Sequence, residues 1–305
     1  MMAALDCRRL AADLGIRVEA EYPLARLTTL NVGGPAEWVF FPQTAEQAAT
    51  LYGTLRGSGT ALRFIGGGSN IIAPDTGVRG AVICTAQMTH PPQDIGGDRF
   101  RCSAGQAIPG LARWAAKAGR SGVEFAEGIP AQLGGALRMN AGANESCFAE
   151  ITEAVWLADG EGGMEEHPVV TGDFAYRQSF IARRGCFVVG AVLRLAEDDP
   201  AAIRERMLTF RRRRQASQPL SERSAGCVFA NYPDQSVGAL IEELGLKGLR
   251  IGAAEVSRIH GNFIVNRGGA RAVEVLETID RLREALTRKT GREPRLEVEI
   301  WSEQA

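Results

Sequence analysis

Lysine is nearly missing from this chain of 305 residues: three lysines stand against 32 arginines, and histidine also occurs only three times. The 36 acids leave a formal net charge of −1, which excludes whole-protein attraction to nucleic acid or to an anionic membrane surface. No apolar run approaches the roughly 18–20 residues of a bilayer-spanning helix. The opening MMAALDCRRLAADLG interrupts its apolar residues with Asp6, Arg8 and Arg9, so no signal peptide is expected. Six cysteines, at 7, 84, 102, 147, 186 and 227, include no CxxC spacing. Neither a metal site nor a disulfide scaffold is indicated, and the expectation is a cytoplasmic protein with reduced thiols. Internal repeats and low-complexity tracts are also lacking. With 45% apolar and 23% charged residues the chain is of ordinary globular composition, long enough for about two domains.

Glycine is what the chain has in excess. It occurs 36 times, about 12% against a typical ~7%, and the glycines gather in runs between apolar segments. Apolar spacing predicts a helix over 3–14, a strand over 36–42, a helix over 45–56, and a short buried strand over 62–65 that runs into Gly66, Gly67, Gly68, Ser69 and Asn70. Strands over 80–85 and 100–104 and a helix over 108–118 follow, and then the densest glycine stretch, GIPAQLGGALRMNAG over 128–142. Strands are expected near 151–158 and 186–195, with a turn-rich polar piece between them. At Asp198-Asp199-Pro200 a long arginine-rich helix begins with acids and ends with bases, as the helix dipole favours. Helix over 237–244, strand over 261–265, helix over 271–288 and strand over 295–301 complete an α+β pattern, with a boundary near 198–205.

A glycine run after a strand can aim successive backbone N–H groups into one concavity, the shape of a phosphate cradle. The segment 66–70 lacks the Lys-Ser/Thr of a P-loop and the spacing of the dinucleotide fingerprint, so alone it is equally a plain turn. A second such loop at 128–142 points to a ligand with two phosphates or a long cofactor. Arg177, beside Tyr176, offers a fork that matches a carboxylate or phosphate, though a surface arginine reads the same way. Cys227 follows a small-residue turn before a strand, and most free cysteines are simply small buried hydrophobes. His260 reads as structural. Glu299 alternates with Glu297 on a terminal strand, a pattern usual for a solvated face.

Taken together and in order, these segments resemble the UDP-N-acetylenolpyruvoylglucosamine reductases (MurB), flavoenzymes of peptidoglycan precursor synthesis. The resemblance rests on TTLNVGG at 28–34, GGGSN at 66–70, GIPAQLGGALRMNAGA at 128–143, YRQS at 176–179, QPL at 218–220, SAGCVF at 224–229, the block 238–266, and LEVE at 296–299. It implies a two-subdomain FAD-binding fold of the vanillyl-alcohol-oxidase/PCMH type over 1–200, divided at about 85. A C-terminal α/β substrate-binding domain over 201–305 would follow, its last strand contributing Glu299. It implies noncovalent FAD held by Gly66, Gly67, Gly68, Ser69 and Asn70 and by Gly128, Ile129, Pro130, Gly134, Gly135, Asn140, Ala141 and Gly142. It further implies NADPH as hydride donor and a UDP-sugar as partner. Carried over by motif position, Arg177, Cys227 and Glu299 are the catalytic set, and Tyr176, Asn231 and Lys247 contact substrate. Two departures stand out: the family commonly has serine where this chain has Cys227, and the stretch after Ser179 leaves no room for a tyrosine-bearing closing loop, as in the shorter family form. Alternatives are another FAD oxidoreductase of the same fold and a non-catalytic nucleotide-sugar-binding module. The three histidines, at 90, 167 and 260, lie outside both glycine loops, which argues against covalently tethered flavin.

Overall fold

The computed structural model describes residues 6–303. Asp6 caps the first helix, Cys7–Asp13, by accepting the N–H groups of Arg8 and Arg9. Residues 3–5 of the expected N-terminal helix lie outside the described residues. The chain forms two compact units. Of the described residues, the first holds 6–20, 38–67 and 80–213; the second holds 21–37, 68–79 and 214–303. This differs from the single boundary expected near 198–205. Two short segments of the front part belong to the second unit, and the long helix continues to Ser217, past the change of unit at 213/214.

In the first unit an antiparallel sheet of five strands runs Met164–Pro168, Thr152–Ala158, Phe187–Arg194, Arg99–Ser103, Gln93–Asp94. Phe187–Arg194 is buried along its length except at Arg194, as a β-branched strand with a neighbour on each side should be. Leu62–Ile65 pairs in parallel with 81–84, in register from Leu62 opposite Ala81 to Ile65 opposite Cys84. Phe64 stacks on Phe187 with ring centres 4.3 Å apart. The helix Ala45–Gly57 starts with a capping box in which the Thr44 hydroxyl accepts the Gln47 N–H. Met164–Pro168 falls in the piece expected to be turns. It is an edge strand with two of its five residues half-buried and the rest exposed, so it carries no apolar alternation to read.

The long helix Pro200–Ser217 buries Ile203 and Met207 in this unit's core and is held to it by Arg206, which pairs with Glu124 and Asp198. Arg206 donates to Glu124 Oε1 from Nη2 at 2.6 Å and from Nε at 3.1 Å. Burial disfavours the Glu124 carboxylate, yet Arg206, the backbone N–H groups of Glu124 and Gly122 and the Ser121 hydroxyl together outweigh it and hold its pKa below the usual carboxylate range.

In the second unit an antiparallel sheet of four strands runs Arg223–Cys227, Phe263–Asn266, Ala254–Val256, Arg250–Ile251. The helix Ala272–Thr290 buries Val275, Ile279, Leu282 and Leu286, spaced to make one apolar face. Its N-terminus is capped from afar: Asp75 accepts the N–H groups of Ala272 and Val273 at 2.8 and 3.1 Å. Segment 21–37 is bound here too, through the Thr29 hydroxyl to Ser224 O at 2.6 Å and Asn266 Nδ2 to Leu30 O at 3.0 Å. These bonds explain why both excursions leave the first unit. The expected strand over 295–301 is shorter, Glu299–Ile300, with a separate bridge between Phe229 and Leu296. The strand expected to begin at Cys227 instead ends there. Among the described residues no helix is long and apolar enough to cross a membrane.

The Glu124–Arg206 pair generates a pH prediction. Because the folded carboxyl pKa is depressed, its stabilisation is present at neutral pH and is lost as pH falls below roughly 4. Glu124→Gln should lower stability at pH 7 by about 1–3 kcal/mol and flatten the acid limb of the stability profile. Urea unfolding between pH 3.5 and 7 checks this, and an unchanged acid limb would remove the pair from that role.

Candidate functional site

Tyr176 and Arg177 form the two-residue turn of a hairpin in which Ala175 pairs with Gln178. Arg177 takes a left-handed φ of +55°. A glycine would adopt that conformation without the ~1–2 kcal/mol that a Cβ costs there, so a side-chain requirement at 177 is the natural explanation. Its Nη2 donates to Gly142 O at 3.0 Å, and the guanidinium lies 5.1 Å from the Tyr176 ring centre. Asn140, itself at φ +42°, donates to Ala175 O and accepts the Ala149 N–H, both at 3.0 Å. The Ser179 hydroxyl reaches Arg138 O. The hairpin bearing Arg177 is therefore built onto the 128–142 segment, and the Asn140 amide serves to join the two.

Within 128–142 the sequence concealed a short helix, Leu133–Arg138. Its first two N–H groups are already engaged: Leu133 donates to Gln106 O and Gly134 to Ala104 O, at 2.9 and 2.8 Å. Gly128 turns the chain at φ +79°. Ile129 packs half-buried against the core, while Pro130 is exposed. Ala141 is bracketed by Ala136 O and the Phe148 N–H.

In the second unit the latter part of the 66–70 segment meets two of the predicted catalytic positions. Asn70 Nδ2 donates to Glu297 O, and the Glu299 N–H donates to Asn70 O, each at 2.9 Å. Glu299 then lies opposite Ile71 in a parallel pair, its carboxylate accepting Trp301 Nε1–H at 3.2 Å. Val228 O accepts the N–H groups of Glu297 and Val298. Cys227 precedes it, half-buried, at a bulge where Gly226 takes φ +78° and approaches Ser69 O. Bulges of this kind re-aim a side chain. Arg177 belongs to the first unit, and Cys227 and Glu299 to the second.

The other predicted contacts carry structural bonds. Asn231 Oδ1 accepts the Val237 N–H ahead of the helix Val237–Glu243. Lys247 pairs with Glu242 at 2.7 Å. His260, read from sequence as structural, is near both: burial first, then the Lys247 charge, lowers its pKa against the opposing pull of Glu242. Its Nδ1 accepts the Asn262 N–H at 3.2 Å, which leaves Nε2 as the protonated nitrogen of the neutral ring. It stands thirteen positions after Lys247, so no local spacing signals the group.

What a side chain would meet at each glycine tests the fit of a flavin dinucleotide. At Gly67 a Cβ would find Pro130 O no closer than 3.6 Å, and at Gly135 nothing within 4 Å. Neither glycine has positive φ. Gly135 meets open space and Gly67 only ordinary contact, so neither is small for the packing of the chain, and backbone at both can lie against a flavin. Gly68 and Gly142 differ: a Cβ would run into Leu27 O at the first and reach Ser146 O at 2.6 Å at the second. Those two serve the packing of the chain itself.

Comparison with known proteins gives concordant matches. A family model described as the C-terminal domain of UDP-N-acetylenolpyruvoylglucosamine reductase matches residues 218–301, and one described as an FAD binding domain matches 36–166. The UDP-N-acetylenolpyruvoylglucosamine reductase of Moorella thermoacetica is 41% identical over 296 residues, 96% of each chain. That of Geobacter sulfurreducens is 38% identical over 97% of this chain and 99% of its own. The crystal structure of the Thermus caldophilus reductase superposes with a TM-score of 0.81 at 40% identity, covering 94% of this chain and all of that one.

The two kinds of glycine separate experimentally. Gly67→Val and Gly135→Val should purify folded but lacking flavin, with melting temperatures close to that of the wild-type apoprotein. Added FAD should stabilise only the wild type, by mass action. Gly68→Ala and Gly142→Ala should instead unfold more easily with or without flavin. Flavin absorbance and thermal denaturation check both; full flavin occupancy in the valine variants would sink the loop assignment.

Proposed function

The chain belongs to the UDP-N-acetylenolpyruvoylglucosamine reductase family, and from that premise we propose that it reduces the enolpyruvyl ether of UDP-N-acetylglucosamine to UDP-N-acetylmuramate, with Arg177, Cys227 and Glu299 as its catalytic residues. The net change adds a hydride to the terminal carbon and a proton to its neighbour. When bound, FAD carries the hydride from NADPH to the substrate. The backbone around Gly67 and Gly135, with the rest of 66–70 and 128–142, would hold that cofactor.

Hydride addition drives negative charge onto the substrate carboxylate and leaves a carbanion beside it. The chain must supply a cation at the carboxylate, an acid near it and a proton donor at the carbanion. Arg177 supplies the cation; its fork is anchored by one donor on Gly142 O, which presets its direction. Cys227 is the proton donor to the carbanion in this reading. Glu299 is the second acid. The observation that supports this reading is the backbone pairing of Val228 with Glu297 and Val298 and of Asn70 with Glu297 and Glu299, which joins the residue after Cys227 and the strand of Glu299 to the end of the glycine loop. Tyr176, Asn231 and Lys247 are the substrate contacts of this reading. The same reading makes the protein cytoplasmic, with a UDP-sugar and not a nucleic acid as its partner, in keeping with its net charge of −1.

Stopped-flow measurement of the two half-reactions tests the roles. Cys227→Ser should stay active. Cys227→Ala should accept hydride from NADPH at near-normal speed and lose turnover by about 10²–10⁴-fold in the substrate half-reaction. Arg177→Lys should cost far more in kcat than in KM, because a point charge does not replace the fork. A Cys227→Ala enzyme that turns over substrate at the wild-type rate would reduce the thiol to packing.

A further inference from the structure

An isolated two-stranded hairpin is at best marginally stable, so a short one keeps its direction only where other parts of the chain hold it. The hairpin that carries Arg177 pairs Phe174 with Ser179 and Ala175 with Gln178. Bonds to Gly142, from Asn140 and to Arg138 fasten its outer part to the 128–142 segment. Its base is fastened elsewhere. The Phe180 N–H donates to Asp173 O at 2.7 Å, so residues 173 and 180 close the hairpin. Asp173 Oδ2 accepts the Val170 N–H at 3.0 Å and lies 2.9 Å from His167 Nε2.

His167 touches both closing residues. It stands on the edge strand Met164–Pro168, opposite Val155 of the five-stranded sheet. Its ring stacks on the buried Phe180 with centres 4.2 Å apart and 31° between the planes. Asp173 is buried as well. Burial disfavours its carboxylate, but the Val170 N–H, the His167 side chain and the nearby charge of Arg184 outweigh that and hold its pKa below the usual carboxylate range. An ionised carboxylate only accepts, so His167 Nε2 is the donor of the bond. One imidazole therefore ties the sheet to the base of the hairpin by its face and by its edge.

We propose that His167 is a positioning residue for the reaction: by stacking on Phe180 and donating to Asp173 it fixes the base of the hairpin, and with it the direction of the Arg177 guanidinium. The proposal rests on the catalytic role of Arg177 given above. The left-handed turn at Arg177 persists only while its surroundings over-determine it, and the base is the side that the 128–142 segment does not reach. Displacing a reacting or stabilising group by about 1 Å can slow a reaction by about 10²-fold. The fork is needed most as charge builds on the substrate carboxylate, so loosening the base acts on kcat before KM.

Stopped-flow measurement of both half-reactions in flavin-loaded variants is the test. His167→Phe keeps a ring on Phe180 and removes the N–H. It should retain full flavin and accept hydride from NADPH at the wild-type rate. Its substrate half-reaction should slow at least about 10-fold, with KM for the UDP-sugar within about twofold of wild type. His167→Gln returns an N–H near the position of Nε2 and should recover most of the lost rate. Added to Arg177→Lys, His167→Phe should cost less than about a further twofold, since the two residues act as one unit. A wild-type substrate half-reaction in His167→Phe, equal slowing of both half-reactions, no recovery in His167→Gln, or full additivity with Arg177→Lys would each overturn the proposal. Wild-type turnover in Arg177→Lys alone would instead overturn the catalytic role of Arg177, and the positioning role with it.

Discussion

The peptide groups of Asn70 are the hinge on which the chemistry of the second unit turns. A short segment that leaves a glycine loop must have its backbone N–H and C=O groups satisfied, or burial there is prohibitive. Asn70 O accepts from Glu299, Ile72 O accepts from Trp301, and the Asn70 side chain donates to Glu297 O. This clasp ties residues more than 220 apart in sequence and sets the register of the terminal strand. Side-chain alternation has a period of two, so a slip of one residue would exchange the faces of Glu299 and Val298. Val298 is buried in the apolar core of the unit and resists that exchange. Apolar burial and backbone pairing thus agree on one placement of the Glu299 carboxylate.

The first unit solves a similar problem at Arg177. Its hairpin is held by Asn140 and Ser179 on bonds to neighbouring carbonyls, which leaves the turn to adopt a left-handed arginine. The strain is sustained because these bonds over-determine the turn. Arg206 does comparable work elsewhere, fixing a polar, arginine-rich helix by a pair with Glu124 where few apolar residues, Ile203 and Met207, reach the core. Arginine rather than lysine suits both places, since its planar fork forms several directed bonds and does not lose its charge when partly buried.

The excess of glycine has two physical origins that composition cannot separate. Gly68 and Gly142 are small because another backbone lies where a Cβ would stand. Gly67 and Gly135 are small where the protein itself offers no obstacle. Only the second kind speaks of a ligand, and the two kinds alternate within the same loops. The same holds for Asn140 and Asn70, whose polar side chains suggested ligand contacts and are engaged in joining segments of the chain.

Elements with strong apolar periodicity were legible from sequence alone: Leu62–Ile65, Phe187–Arg194, Ala272–Thr290 and the capped helix Ala45–Gly57 stand where their spacing puts them. Ordered motifs identified the family, because residues that must surround one reaction recur in one order. Polar edge strands such as Met164–Pro168 were hidden, since pairing through backbone bonds demands no side-chain pattern. The membership of 21–37 and 68–79 in the second unit was equally hidden. It depends on Asp75 capping a helix some 197 residues away and on Thr29 reaching Ser224, contacts between segments remote in sequence. Glu127, whose Oε2 is buried without a hydrogen-bond partner among the described residues, belongs with them, since one carboxylate in a sequence carries no sign of how folding will treat its oxygens. Local chemistry determined the elements with strong periodicity; only tertiary structure decided which backbones close on one another, and so which side chains are consumed by the fold.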